Sequence, residues 1–275
     1  MRYGFVLPGG TAPQQLELAE IAERSGWDGV FVWEAAYGVD AWTLLGAMAQ
    51  RTERVRLGTM LTPLPWRRPW KVASQAVTLD QLSAGRAILA VGLGAVDSEL
   101  GNTGEESDRR VRAEMLDEGI DLIRDFWAGR LRFEGERYRT DLFGRNDLAE
   151  VAAPVQERIP IWVVAAWPRQ KSMQRALRCD GLLPNVMESA ALRETTPADM
   201  RAIRDWLDEH GAPPEFDLVA EGETPADDPE EARRIVAPWA EASGTWWLEA
   251  RWEMPHHSPE RMRQTRERLE AGPPR

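Results

Sequence analysis

At residues 165–172 the chain reads AAWPRQKS: small residues, then Arg169, Lys171 and Ser172 at what reads as a helix start. Free N–H groups there, joined by two cations and a hydroxyl, form an anion site of the kind a phosphate takes. Lys171 shares the chain with one other lysine, Lys71. Trp33, Trp66, Trp167 and Trp252 fall near the ends of apolar runs, among 13 tryptophans in all. A wide apolar and aromatic pocket with a few polar anchors suits a flat, phosphorylated cofactor. Carboxylates close several of the same runs, at Glu34, Glu221 and Glu249, with Arg251 just after the last.

Other chemistries lack their residues. Of three histidines, His210 ends a predicted helix and reads as a C-terminal cap, and only His256 and His257 lie near a strand end. No His-x-His follows the first strand, so a metal hydrolase is disfavoured: such metals need several converging ligands. No G-x-S-x-G marks a serine nucleophile, and a nucleophile without a base is inert. Cys179 is the single cysteine, which rules out an intrachain disulfide and a Cys-rich zinc site. A net charge of −11 with no basic stripe argues against nucleic acid. No apolar stretch approaches the roughly 18 residues that cross a membrane, and the run before Pro8 is too short for a secretion signal. The expectation is a soluble, cytoplasmic protein.

The elements that must position these residues repeat. Eight stretches read as a strand followed by a helix, beginning with RYGFVLP and ending with TWWLEARW. Thr11 with Gln14 three residues on, and Thr196 before Pro197, are helix-start signals. The strands are near-continuously apolar, which argues a parallel sheet covered by helices. Eight such units close into a (β/α)₈ barrel, expected as one domain over residues 1–275. A doubly wound sheet is disfavoured because no G-x-G-x-x-G follows any strand. LRFEG-ERYRT predicts a small hairpin turning at Gly135, inserted between the fourth helix and fifth strand. Residues 95–110, polar and glycine-containing, fall on the catalytic face, where a mobile loop is useful.

The stretches GWDGVFVWE, RTERVRLGTMLTPLPWRRPW, TLDQLSAGRAILAVGLGA and RIPIWVVAAWPRQKS resemble the bacterial luciferase-like monooxygenase family of barrels, which use FMN or the deazaflavin coenzyme F420. The resemblance is continuous over about residues 1–100 and again over 150–190; beyond 215 it rests on the strand–helix rhythm. It implies a bulge at Thr59-Met60-Leu61, often with a cis peptide between non-proline residues, that supports one face of the cofactor ring. The stiff TPLPW that follows would brace the bulge. Gly92 and Gly94 would let backbone approach the cofactor, with Ala166, Trp167, Arg169, Lys171 and Ser172 around its phosphate. Many relatives carry an Asp-His pair after the second strand; here those positions are Glu34-Ala35. Acid/base work at that place would fall to Glu34, which could equally bond the ring or an arginine. The implied activity is a flavin-dependent monooxygenase using reduced FMN and O₂ on a small organic substrate, supplied by a separate flavin reductase. The alternatives are F420-dependent hydride transfer and a non-catalytic flavin-binding barrel. The resemblance also implies a homodimer.

Overall fold

A computed structural model describes residues 1–95, 102–142, 144, 146–189, 191–252 and 258–275. In chain order the strands are β1 (Arg2–Val6), β2 (Gly29–Val32), β3 (Arg56–Thr59), the two-residue β4 (Thr62–Pro63), β5 (Ala87–Gly92), β6 (Arg132–Glu134), β7 (Arg139–Asp141), β8 (Ile161–Trp167), β9 (Gly181–Glu188), β10 (Ala191–Arg193), β11 (Asp217–Gly222) and β12 (Trp246–Glu249). Parallel pairing runs β1-β2-β3-β5-β8-β9-β11-β12 and returns to β1, so eight strands close a barrel. The helices that cover it are α1 (Ala12–Arg24), α2 (Ala41–Ala49), α3 (Pro69–Leu82), α4 (Arg109–Trp127), α5 (Asn146–Val151), α6 (Gln170–Ala176), α7 (Pro197–Glu209), α8 (Pro229–Glu241) and α9 (Pro259–Glu270). None of the described helices is long and apolar enough to cross a membrane.

The helix starts follow the sequence signals. Thr11 and Gln14 form a reciprocal capping box at α1, as do Thr196 and Asp199 at α7. His210 caps α7, its Nδ1 2.7 Å from the Trp206 carbonyl. The predicted hairpin is β6–β7, antiparallel, between α4 and the fifth barrel strand β8.

Two apolar clusters divide the molecule. One lies between strands and helices; the other fills the barrel and includes Phe31, Trp162, Trp246 and Leu248. Phe31 stacks on Trp162 with centroids 5.4 Å apart, and Trp162 meets Trp246 edge-on at 5.2 Å. Truncating either tryptophan to alanine would cost about 3–5 kcal/mol. Below them Asp217 accepts from Trp162 Nε1 at 3.1 Å and from Thr245 Oγ1 at 2.9 Å.

The LDQLSAGRA block is scaffold at the opposite end of the strands from the mouth. Asp80, fully buried, accepts from the Val155 and Gln156 amides and so fixes the segment entering β8. Arg86 donates to the carbonyls of Thr52, Val55 and Ser83 at 2.7, 2.8 and 2.7 Å. These residues hold the barrel closed; they are remote from the strand ends where ligands meet a barrel.

Candidate active site

Side chains alternate along a strand, so each strand delivers one inward residue to the mouth. Members of the inner cluster fix the phase: Val6, Phe31, Met60, Ala90, Leu183, Val219 and Ala250 belong to it, with Val164 packed against it. One step further up, two residues on, Trp33, Gly92, Ala166, Asn185 and Glu221 face the mouth, joined at that level by Met60 and Ala250. Val6 closes the β1 side.

The β3 end is a bulge. The peptide bond between Met60 and Leu61 is cis, within the triad that the family resemblance implies. Thr59 Oγ1 donates to the Ala90 carbonyl at 3.2 Å and accepts from Thr62 Oγ1 at 3.0 Å, tying the bulge to β5 and to the segment after it. The Met60 amide donates to the Val32 carbonyl at 2.8 Å. Met60 and Leu61 thereby turn into the inner cluster. Gly92 lies opposite: a Cβ there would stand 2.9 Å from Leu61 Cδ2, so the Leu61 side chain packs directly on the glycine. The TPLPW segment is what braces it. Thr62 and Pro63 pair with Val91 and Gly92, Leu64–Trp66 forms one 3₁₀ turn, and Trp66 donates to the Glu106 carbonyl at 2.9 Å. Gly94 has φ +76° and no room for a Cβ, which would fall 2.5 Å from the Trp66 ring. Arg112 closes the back of this corner, 5.3 Å from the Trp66 ring centroid and bonded to the carbonyls of Leu93 and Gly94.

Glu34 follows Trp33 and so points the other way, behind β2. Its carboxylate meets Arg67 at 2.8 Å, with a side chain 6% exposed. Burial pushes its pKa up to about 7 against the opposing pull of Arg67. Of the roles open to it from sequence, the structure brings it to an arginine. Ala35, at the position of the relatives' histidine, lines a cavity of about 770 Å³ with Trp33, Gly9, Gly10 and Tyr37 on the β1–β2 side of the mouth. A second recess, about 690 Å³, lies outside the barrel between α2 and α3, away from the strand ends.

On β8 alternation turns Ala166 inward and Trp167 outward. The Trp167 ring packs on the outer cluster, 6.3 Å from Trp206 of α7. Its backbone, followed by a cis bond to Pro168, shapes the turn into α6. Ser172 Oγ accepts from the Ala166 amide at 2.9 Å, Arg169 reaches the Ser189 carbonyl, and Lys171 is exposed. Trp66 is likewise 7% exposed and packed behind the bulge, so of the tryptophans near strand ends phase aims Trp33 into the mouth, with Trp252 beside Glu221.

The remaining carboxylates separate in the same way. Glu249 is fully buried behind β12, accepting from the Thr224 amide and hydroxyl at 2.7 Å, with Arg268 at 3.7 Å. Glu221 faces the mouth. It is open to water yet enclosed by protein, an enclosure that raises its pKa, and Trp252 Nε1 stands 3.3 Å from its Oε2. Asn185, exposed and paired across the ladder with Ala166, stands in the inward row of the neighbouring strand β9, which pairs with β11 at Leu182 and Leu218. The sequence places Asn185 at a strand end but gives it no role; its inward direction follows from its two-residue spacing from Leu183. Residues 96–101 of the expected loop, and His256 and His257, lie outside the described residues.

The mouth is therefore an apolar bowl with a rigid bulge on one side and a polar pair on the other. A coenzyme F420-dependent oxidoreductase by name, from Mycobacterium tuberculosis, is 34% identical over 215 residues, 75% of this chain and 58% of its own length. The F420-dependent glucose-6-phosphate dehydrogenase of Nakamurella multipartita is 30% identical over 210 residues, 72% of this chain and 59% of its own. The chain thus aligns with about three fifths of the length of these curated relatives. Among solved structures, the monooxygenase RslO1 of Streptomyces bottropensis superposes with a TM-score of 0.72 over 98% of each chain at 20% identity, a likeness of fold. With residues 2–274 matched, the chain belongs to the luciferase-like monooxygenase family of oxidoreductases.

Proposed function

We propose that this chain is an F420-dependent oxidoreductase that moves a hydride between the deazaflavin and a small organic molecule. The observation that carries this reading is that both curated relatives above are F420 enzymes by name. The mouth suits the group: a flat ring needs apolar support, which Met60 and Leu61 offer from the bulge, with the Leu61 side chain packed over Gly92. When bound, the deazaflavin supplies a two-electron hydride acceptor or donor. Met60 and Leu61 would support one face of the ring, and Val6, Ala90 and Ala250 would keep water from beneath it. Thr59, through its bonds to Ala90 and Thr62, holds the bulge in place. Lys171, with Arg169 and Ser172, would meet the phosphate at the rim. Glu34 positions Arg67 and the turn that braces the bulge.

The reading placed first from the sequence, reduced FMN with O₂ and a separate reductase, uses the same bowl but has less support from these relatives. Turnover separates the two. Mixed anaerobically with oxidised F420 and a panel of alcohols, the protein is expected to bleach the cofactor's visible absorbance. Oxygen-dependent consumption of reduced FMN coupled to substrate oxygenation, with no reaction of F420, would overturn the proposal.

A further inference from the structure

At the inward strand-end positions around the mouth two side chains are polar, Asn185 on β9 and Glu221 on the neighbouring strand β11, and no cation occupies any of these positions. The rim beside them is also acidic: Glu188 ends β9 and Glu223 follows β11, both exposed. Arg251, the nearest cation along β12, is engaged with Gln264 at 3.3 Å, the Thr224 carbonyl at 3.4 Å and Glu223 at 3.9 Å. Among the described residues a phosphate brought to this side would meet Glu221, Glu188 and Glu223, with the Arg169 guanidinium held at the Ser189 carbonyl, although a curated relative acts on a sugar phosphate by name.

We propose that Glu221 is the catalytic base of this site and that the substrate it selects is an uncharged alcohol, held by Asn185, and not a phosphate ester. This rests on the F420 reading. The step balances without a further reactant: the alcohol C–H breaks and its electron pair leaves as hydride to the oxidised deazaflavin. The O–H proton passes to the Glu221 carboxylate, and the C–O bond becomes a carbonyl. Glu221 takes the part that a histidine at Ala35 would otherwise play, from the opposite side of the bowl. Asn185 can donate to the substrate oxygen through its amide. Trp252 Nε1 orients the carboxylate from the strand-end loop.

The neighbours that face Glu221 are uncharged among the described residues: Asn185 from β9, Ala250 from β12 and Trp252 beyond it. Its titration is governed by enclosure, which raises the pKa, and by Trp252, which lowers it. As a base it works ionised, so the rate should fall as pH drops through a pKa above the ordinary carboxylate range.

The test compares the full chain with Glu221→Gln and Glu221→Asp. F420 binding is read first by tryptophan quenching and is expected to be unchanged within about twofold in both variants. With isopropanol or cyclohexanol the Gln variant should lose about a hundredfold or more in kcat and lose the acid limb of its pH profile, as removal of a general base does. The Asp variant should recover part of the rate and keep the limb. Calorimetry of the F420-loaded wild type should detect no binding of glucose 6-phosphate. Failure of the wild type to bind F420 overturns the parent reading and this one together. Intact F420 binding with an unaltered rate or pH limb in Glu221→Gln, or with tight binding of glucose 6-phosphate, overturns this proposal alone.

Discussion

The β2–β5 side of the mouth and its β9–β12 side are built on opposite plans. On the first, polar side chains are turned into the scaffold: Thr59 bonds Ala90 and Thr62, Glu34 bonds Arg67, Trp66 bonds the Glu106 carbonyl. What faces the bowl there is Trp33, Met60, Leu61 and a glycine. On the second, Glu221 and Asn185 are exposed, with one indole at 3.3 Å. Interlocked side chains give a surface that cannot adjust, suited to a cofactor of one shape. Polar groups left open to water are the ones free to bond a changing ligand. The two carboxylates make the point in miniature. Both end strands and both have raised pKa values, yet one residue of strand phase sends Glu34 into the scaffold and Glu221 into the mouth.

The contrast can be broken first at Gly94. Gly94→Val combines a left-handed φ with a Cβ 2.5 Å from the Trp66 ring, and should cost about 3 kcal/mol or more, lowering Tm by roughly 6 °C or more. Glu221→Gln, on the open side, should leave Tm within about 2 °C. A Gly94 variant as stable as the parent in thermal melts would mean the bulge side is not rigid.

Gly92→Val sharpens the division of labour. Its Cβ crowds Leu61, so F420 affinity should fall about tenfold or more in a quenching titration while the barrel still melts cooperatively. Unchanged affinity would remove the bulge from the cofactor site.

A smaller effect tests Glu34 as scaffold. Its folded pKa, about 7, lies above the unfolded value, so its contribution to stability is full below pH 4.5 and is lost as pH rises through 7. Tm measured from pH 5 to 8 should therefore carry a decline worth about 1–3 kcal/mol in the parent that is absent in Glu34→Gln. Parallel pH profiles for the two proteins would contradict that assignment. Smallest is Lys171→Ala, expected to weaken F420 about threefold and leave the phosphate-free deazaflavin unaffected, since one exposed cation on a phosphate contributes little. Equal losses for both ligands would take Lys171 away from the phosphate.

Much of this was legible in the chain. Apolar runs alternating with capped helices give the eightfold barrel, LRFEG-ERYRT gives the hairpin, and the TMLTPLPW stretch marks the bulge whose cis bond falls at Met60-Leu61. The direction of side chains at the strand ends was not. Strands covered on both faces are apolar at every position, so their sequence carries no phase. Trp167 and Glu34 then look as much like pocket residues as Ala166 and Glu221 do. Only the ladder register and the two separate clusters reveal which member of each pair is turned inward. Asn185 could be placed at a strand end but not given a role for the same reason, an isolated polar residue in an apolar strand with no motif around it.

The central claim is that the bowl is shaped for a deazaflavin. Its most direct test is a parallel titration of the purified protein with oxidised F420 and oxidised FMN, read by tryptophan quenching. The account predicts saturable quenching by F420 with an affinity at least tenfold tighter than that for FMN. Tight, saturable binding of FMN with none of F420 would contradict it.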